Sequence, residues 1–61
     1  GGRKSIVAKK NILKGTLIEK RHITFKRPGD GISPDNMEKL LGKITIEDIN
    51  KDTQIKLKNL E

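Results

Sequence analysis

Cysteine, tryptophan and tyrosine are absent from the 61 residues, and phenylalanine occurs once. Without cysteine the chain forms no disulfide and offers no thiolate to a metal, which fits a reducing, cytoplasmic setting. With only Phe25 as an aromatic, it lacks the stacking platforms on which single-stranded nucleic acid is bound. No zinc spacing, helix-turn-helix pattern or basic zipper offers another route to nucleic acid. No apolar run approaches the ~18 residues of a membrane-spanning helix. No apolar stretch of signal-peptide length follows Gly1-Gly2-Arg3-Lys4. Residues 1–3 read as a linker or an expression remnant, and residues 4–61 as one domain.

What the chain does have is charge. Lys and Arg number 14 against 8 Asp and Glu, for a net charge of +6. The basic residues are spread along the sequence in singles and pairs, the pattern of a solvated lysine-rich surface. So much charge would suit disorder if the apolar residues were scattered. They sit instead in short clusters, mostly Ile and Leu, separated by turn residues. A chain of this size buries only about 60% of its unfolded surface, so its stability must come from a compact core, a partner, or attachment to a larger protein.

Ser5-Ile6-Val7-Ala8 reads as a short strand, because β-branched side chains suit a pleated surface. Asn11 to Ile18 reads as a turn with Lys14-Gly15 at its corner, leading into a second short strand. Glu19 to Ile23 reads as one irregular turn, and Thr24-Phe25-Lys26 as a third strand with Phe25 in the core. Pro28 followed by Gly29 predicts a type II turn. A helix is predicted over about Pro34 to Leu41. Ser33 would be its N-cap, Ile32 and Met37 a hydrophobic staple, Met37, Leu40 and Leu41 its apolar face, and Gly42 its stop.

An internal repeat is the most informative pattern. Residues 8–18 align without gaps on residues 45–55, with Ile12, Lys14, Thr16 and Ile18 matching Ile49, Lys51, Thr53 and Ile55. Asn11 pairs with Asp48, and Gly15 with Asp52, so both copies place Asn or Asp before an apolar Ile and a turn-former at the corner. Two copies are too few for a solenoid and predict two hook-shaped halves packed together in a β-rich fold.

No catalytic constellation stands out. His22 is alone and reads as a surface or packing residue. Asp48 and Asp52 occupy turn positions of the repeat, so turn capping is favoured over metal binding for them and for neighbouring Glu47. Ser33 and Thr53 have no evident base and read as a helix cap and a turn residue. The loop from Lys26 to Gly31 differs from these. A stiff turn can hold the planar donor fork of Arg27 in place, where it suits carboxylates, phosphates and carbonyl oxygens. The glycines beside it allow close backbone approach.

Lys26-Arg27-Pro28-Gly29-Asp30-Gly31-Ile32-Ser33-Pro34 resembles the K-R-P-G-x-G-I-S-P signature of the SAF (antifreeze-like) domain of sialic acid synthases. Lys4-Ser5-Ile6-Val7-Ala8, Ile12-Leu13-Lys14-Gly15-Thr16-Leu17-Ile18 and Lys39-Leu40-Leu41-Gly42-Lys43 are similar to that domain's opening, hook and later segment. The resemblance implies a mainly β architecture with short helical turns: the β-clip, a type III antifreeze-like pretzel with pseudo-twofold duplication. It also implies a place behind the TIM barrel of an N-acetylneuraminate synthase. That barrel, a transferase of sialic acid biosynthesis, forms a carbon–carbon bond between phosphoenolpyruvate and N-acetylmannosamine with a divalent Mn or Mg ion. The small domain would lie as a lid over the barrel of the partner subunit in a swapped homodimer. Arg27 would contact the amino sugar near its N-acetyl group, supported by Lys26, Pro28, Gly29 and Gly31. The domain itself would hold no catalytic residue, metal or cofactor.

The ending Lys56-Leu57-Lys58-Asn59-Leu60 departs from the Trp or acidic pair of many relatives. Other SAF-bearing proteins, flagellar P-ring chaperones and sugar-acid dehydratases, are alternatives. Ice binding is disfavoured, because Lys10, Glu19, Lys20, Arg21 and His22 fall where an ice face would have to be flat and uncharged.

Overall fold

The computed structural model describes residues 2–61; Gly1, read above as part of a linker, lies outside the described residues. Strand β1 (Ser5–Ala8) is buried along its whole length. It pairs antiparallel with β2 (Ile23–Lys26) in the register Ser5↔Lys26, Ile6↔Phe25, Val7↔Thr24, Ala8↔Ile23. On its other side β1 bonds to the second half of the chain: Ala8 N–H donates to Thr53 O at 2.9 Å, and Ile55 N–H to Ile6 O at 3.1 Å. With neighbours on both sides, a strand carries an unbroken apolar run, which is what Ile6-Val7-Ala8 supplies.

The two hooks meet at the middle of the molecule. Ile12 and Ile49 form an antiparallel bridge in which each N–H donates to the other's carbonyl at 2.8 Å. Around this bridge several backbone contacts of one half recur in the other, 37 residues along. Ala8 N–H to Thr53 O is mirrored by Thr45 N–H to Thr16 O, and Asp52 N–H to Ala8 O by Gly15 N–H to Thr45 O. The bridge Val7↔Gln54 is mirrored by Leu17↔Ile44. The corner positions match as well: Gly15 and Asp52 both take left-handed backbone, with φ of 86° and 68°. The duplication predicted from residues 8–18 and 45–55 is therefore a pseudo-twofold fold.

The structure also extends the repeat. The 3-10 helix Lys20–His22 has its counterpart in the 3-10 helix Leu57–Asn59. In the first, Glu19 N–H donates to His22 Nδ1 at 2.9 Å; in the second, Lys56 N–H donates to Asn59 Oδ1 at 2.8 Å. A ring nitrogen and an amide oxygen do the same work, so no sequence identity marks it. His22 is thus a buried packing residue whose Nδ1 is an acceptor.

The core is Ile6, Ala8, Ile12, Ile18, Ile23, Leu40, Ile49 and Ile55, drawn from both halves, with Ile32, Met37, Leu41 and Leu60 packed against it. Burying each Ile contributes about 1.5–3 kcal/mol.

Four local expectations change. The segment read as a helix over Pro34 to Leu41 is a 3-10 helix, Pro34–Lys39, broken at Asn36 (φ −107°, ψ 24°). Ser33 does cap it, accepting from Asp35 N–H at 3.2 Å, and Met37 and Leu40 do face the core. Gly42 takes the left-handed backbone expected of a stop (φ 84°), and its N–H donates to Ile18 O across the molecule. The second strand expected before Ile18 is reduced to isolated bridges at Ile12 and Leu17. Phe25, expected in the core, is 39% exposed: the register places it on the same face as Ile6, Ala8 and Ile23, but it stands on the edge strand β2 and outside the buried cluster. The type II turn at Pro28-Gly29 is absent: the Arg27–Pro28 peptide is cis, and Gly29 is not in the positive-φ region that such a turn requires.

Candidate functional site

The loop that follows β2 is held at five points, each supplied by another part of the chain. Lys26 Nζ forms an ion pair with Asp52 Oδ1 at 2.8 Å, between half-exposed side chains. That contact, chiefly its hydrogen bond, keeps the Asp52 carboxyl below the ordinary aspartate value of 3.8. Ser5, fully buried at the start of β1, donates its hydroxyl to Pro28 O at 2.6 Å and accepts from Gly31 N–H at 2.9 Å. Ile6 N–H donates to Ile32 O at 2.9 Å. Gln54 Nε2 donates to Asp30 Oδ1 at 2.7 Å.

The two glycines of the loop are needed for close approach. A Cβ on Gly29 would stand 2.5 Å from Arg3 Cβ and 2.9 Å from the Arg3 carbonyl carbon. A Cβ on Gly31 would overlap the Gln54 side-chain amide and stand 3.2 Å from Ser5 Oγ. The loop is therefore stiff, as the sequence suggested. Its stiffness comes from tertiary hydrogen bonds and packing and not from the predicted turn type.

Arg27 lies exposed on this clamped loop. Among the described residues, the ion pairs are Arg21–Glu19 and Lys26–Asp52, and neither includes Arg27. The sequence-predicted residues Lys26, Arg27, Pro28, Gly29 and Gly31 thus come together with distinct parts. Arg27 is presented, Lys26 is a strut, the Pro28 carbonyl and Gly31 N–H are clamped by one hydroxyl, and Gly29 fits against Arg3. Sequence reasoning missed Ser5, Gln54, Asp52 and Arg3. They lie far from the loop in the chain, and small or charged residues at a strand start or turn corner carry no mark of what they touch.

The other candidates resolve structurally. Asp48 Oδ1 accepts from Lys14 N–H at 2.7 Å and Asn11 Oδ1 from Lys51 N–H at 2.7 Å, so each hook is capped by the opposite one. Glu47 Oε2 accepts from Asn59 Nδ2 at 2.7 Å. Among the described residues no three His, Asp or Glu side chains converge. No helix among them is long and apolar enough to cross a membrane.

Comparison with known proteins gives the following. The SAF domain family matches residues 3–61. The chain is 44% identical over 54 residues to the N,N'-diacetyllegionaminic acid synthase of Campylobacter jejuni, covering 88% of this chain and 16% of that protein. It is 42% identical over 50 residues to an uncharacterized protein of Methanocaldococcus jannaschii, covering 82% of this chain and 15% of that protein. The chain thus spans about a sixth of the length of the curated relatives it matches.

Proposed function

Because the chain belongs to the SAF domain family, we propose that it is the substrate-facing lid of a sialic-acid-type synthase and that Arg27 is its ligand-binding residue. One observation carries this reading: an exposed guanidinium on a loop fastened by Ser5, Gln54, Asp52 and Ile6. A donor whose base is fixed loses little entropy on meeting a ligand, so its hydrogen bonds orient the ligand at low cost. The ligand is the amino sugar that a separate TIM barrel condenses with phosphoenolpyruvate. Arg27 donates to its N-acetyl carbonyl, while the domain helps exclude water from the reacting carbon. The barrel belongs to the partner subunit of a swapped homodimer and holds the divalent metal and the catalytic groups. The present chain contributes binding and orientation alone.

Steady-state kinetics of the full-length parent enzyme test this. Arg27→Ala loses a charge-assisted hydrogen bond and should lower kcat/KM for the amino sugar by about 10- to 100-fold, with KM for phosphoenolpyruvate unchanged. Arg27→Lys should recover only part of the loss, since lysine cannot reproduce the planar fork. Wild-type kinetics for Arg27→Ala would overturn the assignment.

A further inference from the structure

Arg27 does not stand by itself. A methyl group added at Gly2 would lie 3.7 Å from Arg27 Nη2, so the guanidinium sits over the chain start, beside Arg3. Arg3 and Arg27 both line one open hollow of about 370 Å³ whose remaining walls are Pro28, Gly29 and Asp30. The Gly29–Arg3 packing fixes the backbones that carry the two arginines relative to each other, because the loop that carries Arg27 is closed directly onto the Arg3 backbone. A second hollow, of about 570 Å³, is lined by the same Arg3 and Gly29 together with Lys4, Lys39 and the acidic Asp35.

The charge in the first hollow is uneven. Its one acidic side chain, Asp30, has Oδ1 committed to Gln54. Neither arginine takes part in an ion pair among the described residues, whereas Arg21 and Lys26 each have a carboxylate partner. Two guanidinium groups in one concavity repel each other, and an oxyanion between them turns that repulsion into paired charge-assisted hydrogen bonds.

The geometry points to Arg3 as a second binding residue of the Arg27 site, the pair taking an oxyanion, a carboxylate or a phosphate group. This rests on the lid reading for the identity of the site and adds the chemical class of a second group that enters it, an acid group beside the neutral amino sugar. Arg27 then has two possible acceptors, the N-acetyl carbonyl and the oxyanion, while Arg3 serves the oxyanion.

The test is a ¹⁵N NMR titration of this chain, following backbone amides and arginine Nε signals, with inorganic phosphate, acetate and neutral N-acetylmannosamine as probes. Saturable shifts at Arg3, Arg27, Gly29 and Asp30 with phosphate or acetate are expected, and the stronger of the two identifies the acid group. Arg3→Gln should weaken that binding by about fivefold or more, and Arg3→Lys less, while Arg21→Gln, remote and already paired, should leave it unchanged. Signal dispersion reports whether each variant folds. Shifts spread evenly over lysine amides, or an Arg3→Gln variant that titrates like the wild type, would overturn the inference. Failure of the two readings is distinguishable. Normal sugar kinetics for Arg27→Ala in the parent, together with intact oxyanion binding here, removes the lid and keeps this site. Impaired kinetics with an inert Arg3→Gln removes this site alone.

Discussion

Ser5→Ala removes one oxygen atom and tests how the Arg27 loop is fixed. That hydroxyl donates to Pro28 O at 2.6 Å and accepts from Gly31 N–H at 2.9 Å, and the residue is fully buried. The substitution opens almost no volume and leaves the carbonyl and the N–H unpaired. Each lost bond is worth about 1 kcal/mol net, more where water cannot reach the abandoned partner, so the total is about 2 kcal/mol. In a domain of this size that lowers Tm by about 8–16 °C. Ser33, whose hydroxyl accepts one 3.2 Å bond at a partly exposed cap, is the control and should cost about 0.5 kcal/mol as Ser33→Ala. Urea titration followed by far-ultraviolet circular dichroism gives the stabilities, since the chain has neither Trp nor Tyr for fluorescence. Hydrogen exchange at Gly31 and Ile6 gives the local effect, with faster exchange expected at both in Ser5→Ala. A Ser5→Ala protein within about 0.5 kcal/mol of wild type, with unchanged exchange at Gly31, would refute the argument that this hydroxyl holds the loop.

Two further perturbations address the rest of the scaffold. Asn11→Ala and Asp48→Ala should each cost about 0.5–1 kcal/mol, and the double variant less than their sum, because the two caps brace one shared Ile12–Ile49 bridge; strict additivity would refute the coupling. The Lys26–Asp52 contact should be acid-sensitive. Its hydrogen bond lowers the folded-state pKa of Asp52, so its contribution is present above the ordinary value of 3.8 and is lost as pH falls through the lowered one. The difference in urea midpoint between wild type and Asp52→Asn should therefore be constant from neutral pH down to about 5 and close only in stronger acid. A difference that closes already near neutrality would contradict this.

The hooks were legible in the sequence because their chemistry is local and specific. An Asn or Asp before an Ile, and a residue tolerant of left-handed backbone at the corner, leave a mark wherever they occur. Which hook each cap serves was not legible, since Asn11 bonds Lys51 and Asp48 bonds Lys14 across the molecule. The outer part of the duplication escaped because His22 and Asn59 share a geometry and no chemistry that an alignment rewards. Ser33-Pro34-Asp35 signalled a helix start correctly, and Gly42 takes the left-handed backbone of a stop, but so short a helix depends on its surroundings and forms as a 3-10 helix broken at Asn36. At the site, Arg27 and its flanking glycines could be named from the sequence. Ser5, Gln54, Asp52 and Arg3 could not, because tertiary contact alone brings them to the loop.

The crossed caps have one more consequence. Asn11 Oδ1 and Lys51 N–H are 40 residues apart, and Asp48 Oδ1 and Lys14 N–H are 34 apart. Neither half can complete its own bend, so a chain cut between them should leave two fragments that are unstructured singly and regain shape only when mixed. A module built this way should have no partly folded form in which the arginine loop stays ordered while the remainder melts, so the order of that loop and the integrity of the entire module rise and fall together.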